Sequence, residues 1–525
     1  MTTAQSIRRS TPEPAQGAFW PQADIGFDNE KYLNEHSGAI LRRISESDGK
    51  LYLEFGGKLL YDMHAARVLP GFDPNVKMRL LQRLKDQADI ILCIYAGDIE
   101  RKKVRADFGI TYDSDVFKLI DDLRDGDLDV SAVVITRYEG QSSATAFKTK
   151  LERRGIATFI HRPIEGYPSD VALVAGERGY GANPFIATTK PLVIVTAPGP
   201  NSGKMATCLS QVYHENRRGV RAGYAKFETF PIWNLPLRHP VNIAYEAATA
   251  DIRDYNLIDP FHLEAYGEQA INYNRDVETF PVLRTILERI TGRSMYRSPT
   301  DMGVNRAGFA IVNDDIVRAA ATQEIIRRYL RHECEYAIGV GDQESVHRIE
   351  LLMNELQVGP LDRPVVGPAR IVASSARQQP AKGDQSVFVG AALELHDGSI
   401  VTGVNSPLLH AASATVLNAI KKLGEIPDKL HLLSPRIIES VSHLKQRILM
   451  RKTVSLDLEE TLIAVSIAAT TNPTAELAME QLRHLQGCDM HMTHIPSPGD
   501  EMGLRRLGVN LTCDPNFASK RLFIG

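Results

Sequence analysis

Apolar residues in this chain occur in short continuous runs, separated by segments with the amphipathic spacing of helices. Runs at residues 88–96, 130–137 and 192–196 have the length and composition of strands that are buried on both faces of a sheet. Residues 117–124 and 145–154 have the spacing of helices that lie between such strands. Strands that alternate with helices in this way predict an α/β fold with doubly wound, mostly parallel sheets.

The segment from residue 191 to residue 227 is the most informative part of the pattern. A strand (192–196) runs into a loop of proline and glycine, Gly203-Lys204 follows, and a helical segment comes next. This order presents backbone N–H groups to a phosphate at the N-terminus of a helix. The P-loop motif G-x-x-x-x-G-K-[ST] is matched only in part, because Pro198 stands at the first glycine and Met205 replaces the hydroxyl residue.

We therefore expect phosphate or nucleotide binding by this loop and the first turn of its helix. The candidate contacts are Gly199, Asn201, Ser202, Gly203, Lys204 and Thr207. The segment resembles the first βαβ unit of the dethiobiotin synthetase group of P-loop enzymes. In that group a lysine after the second strand joins the loop lysine around the phosphates, and the matching positions here are Lys204 and Lys226. The alternative is an ordinary turn with an exposed lysine.

A polar region follows from residue 228 to residue 305 and is crowded with Asn, Asp, His, Tyr and Pro. These residues favour loops with converging polar groups over uninterrupted helices. Carboxylates with a nearby histidine suit general acid–base catalysis or Mg²⁺ binding. We therefore expect a substrate site here, with Asp251, Asp254 and His262 as candidate catalytic residues. The alternative is a helix with a charged face and capping residues.

The second half of the chain has a different pattern. Residues 336–340 predict a last short strand, and the Pro- and Gly-containing segment 361–382 predicts a boundary. Residues 387–405 then have the pattern of a β-hairpin turned at Asp397-Gly398, followed by a helix. This order resembles the opening of the cytidine-deaminase fold.

Members of the deaminase family carry a zinc ligand and a catalytic glutamate on that helix, and a later P-C-x-x-C supplies two cysteines. Here the helix begins with His410-Ala411-Ala412, so the glutamate is missing, and residues 435–439 lack both cysteines. We therefore expect a three-layer deaminase-like domain with no zinc at His410 and no deaminase activity.

A separate group of candidate metal ligands lies further along the chain. Cys488, His491 and His494 have the short spacing of zinc ligands, and Asp500 or Cys513 would supply the fourth. The alternative is a polar active-site or interface loop.

Length and composition narrow the class of protein. At 525 residues the chain is expected to form a polar tail (1–24), an N-terminal α/β domain (25–185), a P-loop-like domain (186–345) and a deaminase-like domain (346–525). A net charge of −3 gives no support for a nucleic-acid partner. The N-terminus lacks the apolar core of a signal peptide, no run has membrane-spanning length, and the five cysteines are scattered. These features predict a cytoplasmic protein with no membrane partner and no disulfide framework.

Long strings in a fixed order identify the chain as similar to one bacterial family, uncharacterised protein family 0371, also called domain of unknown function 1846. The strings include FGGKLLYDMHAARVLPGFDP, HPVNIAYEAATADIRDYNLIDPFHLEAYG, YRSPTDMGVN and HMTHIPSPGDEMGLRRLG. Members have been labelled ATP-dependent peptidases. A zinc protease is not expected here, because the nearest string to H-E-x-x-H, at residues 331–335, lacks the second histidine.

The expected function is an intracellular nucleotide- or phosphate-binding protein, with phosphoryl-transfer or ligase-type activity on a small acid. ATP or another nucleotide with Mg²⁺ is the expected cofactor, and the protein is expected to form a homo-oligomer. Lys204 and Lys226 would neutralise charge on the transferred group, and Asp251, Asp254 or Asp259 would hold Mg²⁺ in place of the missing hydroxyl. The alternative is a catalytically silent ligand-binding scaffold that oligomerises through its C-terminal domain.

Overall fold

The computed structural model describes residues 25–47, 49–105, 109–379, 382–384, 386–450 and 454–518. The chain divides into two compact units. The N-terminal unit comprises Gly26–Ile325 and His347–Leu356, and the C-terminal unit comprises Ile326–Val346 and the described residues from Gln357 onward. No helix among the described residues is long and apolar enough to cross a membrane.

The N-terminal unit is built on a parallel sheet. Its strands are β1 (Lys50–Phe55), β2 (Ala88–Tyr95), β3 (Val104–Arg105), β4 (Ile110–Thr111), β5 (Val130–Thr136), β6 (Thr158–Ile160), β7 (Leu192–Thr196), β8 (Ala222–Phe227), β9 (Asn256–Ile258), β10 (Ile271–Tyr273) and β11 (Gly303–Val304). Seven of them form one sheet in the order β11-β8-β1-β7-β2-β5-β6, and every pair of neighbours is parallel. The predicted α/β fold with a parallel sheet is confirmed.

The central position of β7 answers a question that the sequence pattern leaves open, whether residues 25–185 and 186–345 form one sheet or two. β7 lies between β1 and β2, with Leu192 in register with both Leu51 and Ala88. Strands from residues 25–185 and from residues 186–345 therefore share one sheet and form one unit. The distance between two strands along the chain does not determine whether they become neighbours in a sheet. The sequence pattern alone therefore could not show that these strands share one sheet.

Helices of the N-terminal part connect and cover these strands. They are α1 (Asn29–Glu46), α2 (Met63–Val68), α3 (Val76–Arg83), α4 (Ala96–Glu100), α5 (Tyr112–Asp125), α6 (Ser142–Glu152), α7 (Val171–Val174), α8 (Lys204–Arg217), α9 (Pro240–Ala248), α10 (Pro260–Tyr266), α11 (Asn274–Thr291), α12 (Pro299–Met302), α13 (Asp314–Ala337) and α14 (Gln343–Leu356). Several begin at a polar capping residue, as α1 does at Asp28, whose carboxylate accepts hydrogen bonds from Glu30 N and Lys31 N.

The predicted strand at residues 336–340 is wrong. α13 continues to Ala337, and the backbone then turns at Gly339, which has a φ of +79°. The Ile338 N–H donates to Cys334 O and the Gly339 N–H to Tyr336 O, as at the end of a helix. A short apolar run at a helix end has the same composition as a short buried strand, so the pattern could not separate them.

The chain connections leave β7 and β2 toward opposite edges of the sheet. From β2 the chain continues outward to β5 and β6, whereas from β7 it crosses to β8 on the other side. Neighbouring strands whose connections leave in opposite directions open a crevice at their carboxyl ends, and ligands of open α/β sheets bind in such crevices. In this unit the crevice lies beside the loop that joins β7 to α8.

The C-terminal unit has a mixed four-stranded sheet of β12 (Gly390–Glu394), β13 (Ile400–Val404), β14 (Asp489–Met492) and β15 (Asn510–Cys513) in the order β13-β12-β14-β15. β12 is antiparallel to both neighbours, and β14 and β15 are parallel. The predicted hairpin turned at Asp397-Gly398 is confirmed as β12 and β13. The remaining helices are α15 (Val366–Ala376), α16 (Ala411–Leu423), α17 (Pro435–His443), α18 (Leu458–Ala469), α19 (Pro473–Glu480) and α20 (Pro498–Arg506).

Candidate functional site

The loop of residues 197–203, between β7 and α8, has a backbone that only certain residues allow. Gly203 precedes the first helical residue and has a φ of +85°, in the left-handed region that favours glycine. A Cβ at this position would also lie 2.8 Å from Thr136 Cβ. Asn201 has a φ of +54°, a conformation that asparagine tolerates better than most residues. The strand, loop and helix order predicted for this segment is present.

Contacts from neighbouring strands fix this loop in place. Thr136 Oγ1, at the end of β5, donates to Ser202 O at 2.7 Å, and the Arg137 guanidinium donates to Asn201 O. The same guanidinium stacks 3.6 Å from the ring centroid of Tyr95, at the end of β2. The loop is therefore held against the carboxyl ends of β2 and β5, at the crevice of the sheet.

Lys204 gives this loop an uncompensated positive charge. It is the first residue of α8, and the first turn of that helix contains no acidic residue. Among the described residues the Lys204 ammonium forms neither an ion pair nor a hydrogen bond. The N-terminus of a helix is itself positive because its first N–H groups have no intrahelical acceptor. Two sources of positive potential thus meet at one place.

Two hydroxyl groups beside Lys204 also lack partners. Thr196 Oγ1, at the end of β7, and Ser202 Oγ, in the loop, are buried and have no hydrogen-bond partner among the described residues. A buried hydroxyl without a partner is costly, so a ligand that satisfies it is favoured. Free N–H groups, free hydroxyls and a free ammonium are the groups that bind a phosphate.

Lys226, near the end of β8, differs from Lys204 because its ammonium is paired within the protein. Its buried ammonium forms an ion pair with Asp276 of α11 and donates to Tyr273 Oη at 3.2 Å. Burial favours the neutral amine, but the charges of Asp276 and then Glu228 outweigh burial and raise the pKa of Lys226 above its ordinary value. Lys226 is therefore protonated, and the protein itself neutralises it. This differs from the expectation that Lys226 offers a free charge to a phosphate.

Glu228 extends the network that surrounds Lys226. Its Oε1 accepts a hydrogen bond from Tyr273 Oη at 3.0 Å and lies 4.0 Å from Lys226 Nζ. Burial, and next the charge of Asp276, raise the pKa of Glu228 to about 8. Glu228 is consequently a largely neutral carboxylic acid at neutral pH and can donate a proton or a hydrogen bond.

Glu54 lies near the carboxyl end of β1, the strand between β7 and β8. It is in register with Lys226 across β1 and β8, and its Oε2 accepts a hydrogen bond from Tyr224 Oη at 2.6 Å. Burial raises the pKa of the Cys208 thiol, Glu54 raises it further, and Lys204 lowers it. Both charged groups therefore act on the same buried thiol of α8.

Comparisons with known proteins identify the family. The family profile described as "Domain of unknown function DUF1846, N-terminal" matches residues 25–357, and the corresponding C-terminal profile matches residues 361–523. A UPF0371 protein of Clostridium tetani is 56% identical over 500 residues, which is 95% of this chain and 99% of the relative. A UPF0371 protein of Clostridioides difficile is 55% identical over the same shares of the two chains.

The chain belongs to the UPF0371 family. The two family profiles meet between residues 357 and 361, close to the boundary predicted at residues 361–382. In this UPF0371 protein the loop of residues 197–203, Lys204 and the network around Lys226 all lie within the part matched by the N-terminal profile.

The predicted catalytic residues of the polar region do not converge in this UPF0371 protein. Asp251 is exposed in a 3₁₀ turn, and the His262 Nδ1 lies 2.9 Å from Ser298 Oγ. Asp254 is buried and pairs with Arg275 at 3.2 Å. Burial raises the pKa of Asp254, Arg275 opposes that shift, and the charges of Asp276 and Lys226 make smaller contributions. Of the three, only Asp254 approaches the network around Lys226.

The oxygen ligands expected to replace the missing P-loop hydroxyl are engaged elsewhere. Asp259 caps α10 by accepting from Phe261 N and His262 N, and its other oxygen accepts from Thr300 Oγ1 at 2.6 Å. Thr207 is fully buried, and its Oγ1 accepts from Cys93 Sγ at 3.4 Å and lies 3.5 Å from His161 Nδ1. Thr207 therefore faces the core of the sheet, because it is one helical turn into α8.

The predicted zinc ligands near the C-terminus are also separated. Cys488 packs in the core with Met490 and Met492, whereas His491 points to the other face of β14, where its Nδ1 lies 3.0 Å from Thr512 Oγ1. His494 lies 3.0 Å from Thr493 Oγ1. Within the described residues, no group of three or more His, Cys, Asp or Glu side chains has the geometry to hold a metal ion.

Residues outside the sequence predictions complete the candidate site. The sequence did not indicate Glu54, Glu228, Tyr273 or Asp276, although they surround Lys226 and the pKa of Glu228 is raised to about 8. A usable signal exists for Glu54. In β1, alternation places Tyr52 and Glu54 on the same face, and a charged residue near the carboxyl end of a buried strand points toward the ligand edge of a parallel sheet.

Proposed function

We propose that the N-terminal unit of this UPF0371 protein binds a phosphate-bearing small molecule at the loop of residues 197–203. The observation that carries the proposal is the Lys204 ammonium, which lies at the start of α8 and forms no ion pair with any described residue. The buried free hydroxyls of Thr196 and Ser202 support it. The position of the loop at the crevice of the sheet supports it as well.

ATP or another nucleotide with Mg²⁺ is the ligand class that we propose. A P-loop-like unit positions the phosphates through backbone N–H groups and a lysine, and both are present here. Met205 offers no oxygen to Mg²⁺, so the ion would rely on phosphate oxygens, water and one carboxylate. Glu54 is the carboxylate that we propose for this role, because it acts on the same thiol as Lys204.

A second substrate would occupy the carboxyl end of β8. The strands β7 and β8 are separated by β1, so their ends lie about 10 Å apart, two strand spacings. That distance suits a nucleotide phosphate at one end and an acceptor molecule at the other. A largely neutral Glu228 can donate a hydrogen bond to the carboxylate of a small acid. Lys204 would stabilise charge on the transferred phosphoryl group, as phosphoryl-transfer and ligase reactions require.

One observation favours a second candidate function, a ligand-binding scaffold without catalysis. Lys226 is neutralised by Asp276, and neither Met205 nor Thr207 supplies an oxygen to the loop. Binding without turnover requires only the anion contacts around Lys204.

We also propose a deaminase-like layer without deaminase chemistry for the C-terminal unit. The hairpin of β12 and β13 leads into α16, as in that fold. His410, the residue before α16, lies 2.7 Å from Asp500 Oδ2 through its Nδ1. A cytoplasmic homo-oligomer remains our proposal for the whole protein. Exposed apolar side chains on α18, Ile463 and Ile467, support self-association.

Calorimetric titration of the full-length protein tests the binding proposal. Inorganic pyrophosphate, ADP and ATP are added with and without MgCl₂, and sodium sulfate serves as the control for non-specific anion binding. We expect saturable binding of pyrophosphate and the nucleotides that exceeds binding of sulfate. Absence of binding by all three phosphate ligands would overturn the proposal. Release of phosphate from ATP, measured on the same protein, distinguishes an enzyme from a silent scaffold.

A further inference from the structure

Two cysteines of the C-terminal unit lie in contact. Cys334 is on the part of α13 that belongs to this unit, and Cys513 is the last residue of β15. Their sulfur atoms are 3.2 Å apart, and Cys334 Sγ is also 3.2 Å from Cys513 O. The two residues are 179 positions apart in the chain. The fold therefore brings together two thiols that the sequence shows as unrelated.

The other three cysteines are less suited to chemistry with solutes. Cys93 and Cys208 are fully buried under the N-terminal sheet, and Cys488 is buried in the core of the C-terminal unit. Cys513, in contrast, is partly exposed, and Cys334, whose sulfur it contacts, has 8% of its surface exposed. A small oxidant can reach Cys513 from solvent, and the partner thiol is already in contact.

The geometry points to Cys334 and Cys513 as an oxidation site of this protein, which closes to an intrachain disulfide when it reacts with a peroxide. A disulfide has its sulfurs about 2.05 Å apart, so the two atoms need to approach by only about 1 Å. The inference is independent of the phosphate site, which lies in the N-terminal unit.

The reaction balances with hydrogen peroxide as the oxidant. The thiolate of Cys513 attacks one peroxide oxygen, the O–O bond breaks, and the products are a sulfenic acid and, after protonation, one water. The sulfur of Cys334 then attacks the sulfenic sulfur, the S–S bond forms, and the hydroxyl leaves as a second water with the Cys334 proton. Two thiols and one peroxide thus give one disulfide and two waters. The sulfurs lose two electrons, and the peroxide oxygens gain them.

The local environment sets the pH dependence of this reaction. The hydrogen bond with Cys334 and next burial raise the pKa of the Cys513 thiol above its ordinary value. The charges of Asp514 and Glu501 act in the same direction. Because the thiolate is the reactive form, we expect oxidation to accelerate as the pH rises.

Thiol counting on the full-length protein tests the inference. The reduced protein is treated with hydrogen peroxide, quenched, unfolded and labelled with a maleimide. The number of labelled cysteines should fall from five to three, because one disulfide consumes two thiols. Peptide mapping without reduction should find Cys334 linked to Cys513, and dithiothreitol should restore five labels. Five labels after peroxide treatment, a different linkage, or a link between two chains would overturn the inference.

Two variants serve as matched controls. Cys334→Ser and Cys513→Ser should each form no intrachain disulfide under the same treatment. Cys488→Ser removes a buried cysteine of the same unit and should still form the Cys334–Cys513 link. Because the mapping of the wild-type protein requires no substitution, the inference is tested even if a variant fails to fold. Loss of the link in Cys488→Ser that folds normally would contradict it.

Discussion

Two lysines, one in the helix that follows β7 and one near the end of β8, have opposite surroundings. Lys204, the first residue of α8, forms no ion pair with any described residue and lies at the positive end of the helix. Lys226, in β8, is buried and paired with Asp276, with Tyr273 and Glu228 completing the network. Sequence position alone suggested the same phosphate-binding role for both residues.

This difference shows that the contacts of a charged residue near a parallel sheet, more than its position, indicate its role. A buried lysine whose charge is already neutralised stabilises the arrangement of its partners, and removing one partner leaves the other uncompensated. A lysine without a partner at a helix N-terminus makes the free protein less stable, and it is useful only when an anion binds. The predictions below use stability and binding to separate the two cases.

The largest expected effect is on stability at the end of β8. Asp276→Ala leaves the buried Lys226 ammonium without its ion-pair partner and should lower the free energy of unfolding by about 3–5 kcal/mol. Urea unfolding of the full-length protein measures the change. Glu177→Ala is the control, because the ion pair of Glu177 with Arg217 is largely exposed and should contribute about 0–1 kcal/mol. Equal losses in the two variants would remove the distinction between the two ends of the sheet.

The double variant Lys226→Met/Asp276→Leu sharpens this test. It removes both charges together and should recover most of the stability lost in Asp276→Ala. A double variant as unstable as the single one would show that the side chains matter for packing and that their charges contribute little.

The next largest effect is expected in the loop after β7. Gly203→Ala places a Cβ in a left-handed backbone and 2.8 Å from Thr136 Cβ, which should cost about 1–3 kcal/mol and abolish pyrophosphate binding. Gly155→Ala is the matched control, because Gly155 has a similar φ of +74° and no atom within 4 Å of the added Cβ. Its cost should be about 1–2 kcal/mol, that of the left-handed backbone alone. If the two variants lose the same stability and both bind pyrophosphate, the close packing of this loop has no role in the site.

A separate effect is expected in the pH dependence of stability. The folded pKa of Glu228 is about 8, and an unfolded glutamate titrates near pH ~4.3. Between these values the folded protein holds a proton that the unfolded chain has released, so this group makes stability fall as the pH rises. Glu228→Gln cannot titrate. Its urea midpoint should therefore fall less than that of the wild-type protein between pH 5 and pH 8. Parallel pH curves for the two proteins would contradict the raised pKa.

The smallest expected effect is a gain in stability when Lys204 is replaced. Removing a positive charge from a helix N-terminus should raise the free energy of unfolding of Lys204→Ala by about 0.3–1 kcal/mol in the absence of ligand. Lys150→Ala, in the exposed part of α6, should change it by less than about 0.5 kcal/mol. A clear loss of stability in Lys204→Ala would indicate a structural role for this lysine, like that of Lys226.

Local pattern was sufficient for part of this structure. β7, the loop and α8 were predictable because a β-branched run, a Gly-Lys pair and a helical segment are adjacent in the sequence. The hairpin of β12 and β13 was predictable from its Asp-Gly turn. Asp259 was also open to prediction as a cap, because Asp followed by Pro is typical of the start of a helix.

Other features depend on partners that are distant in the chain. Asp276 is 50 residues from Lys226, so no local pattern shows that this lysine is neutralised. The insertion of β7 between β1 and β2 is equally non-local. Cys488 and His491 looked like ligands of one metal, but the alternation of β14 places them on opposite faces. Spacing therefore locates candidate groups, whereas the roles of those groups follow from contacts made across the fold.

The most direct test of the Lys204 site is calorimetric titration of pyrophosphate into the wild-type protein, Lys204→Ala and Lys150→Ala at one ionic strength. Loss of one charge-assisted contact should weaken binding by Lys204→Ala about 10- to 150-fold, equivalent to about 1.5–3 kcal/mol. Lys150→Ala should bind as the wild-type protein does. Equal affinity in the wild-type protein and Lys204→Ala would contradict the assignment of Lys204 as the anion contact.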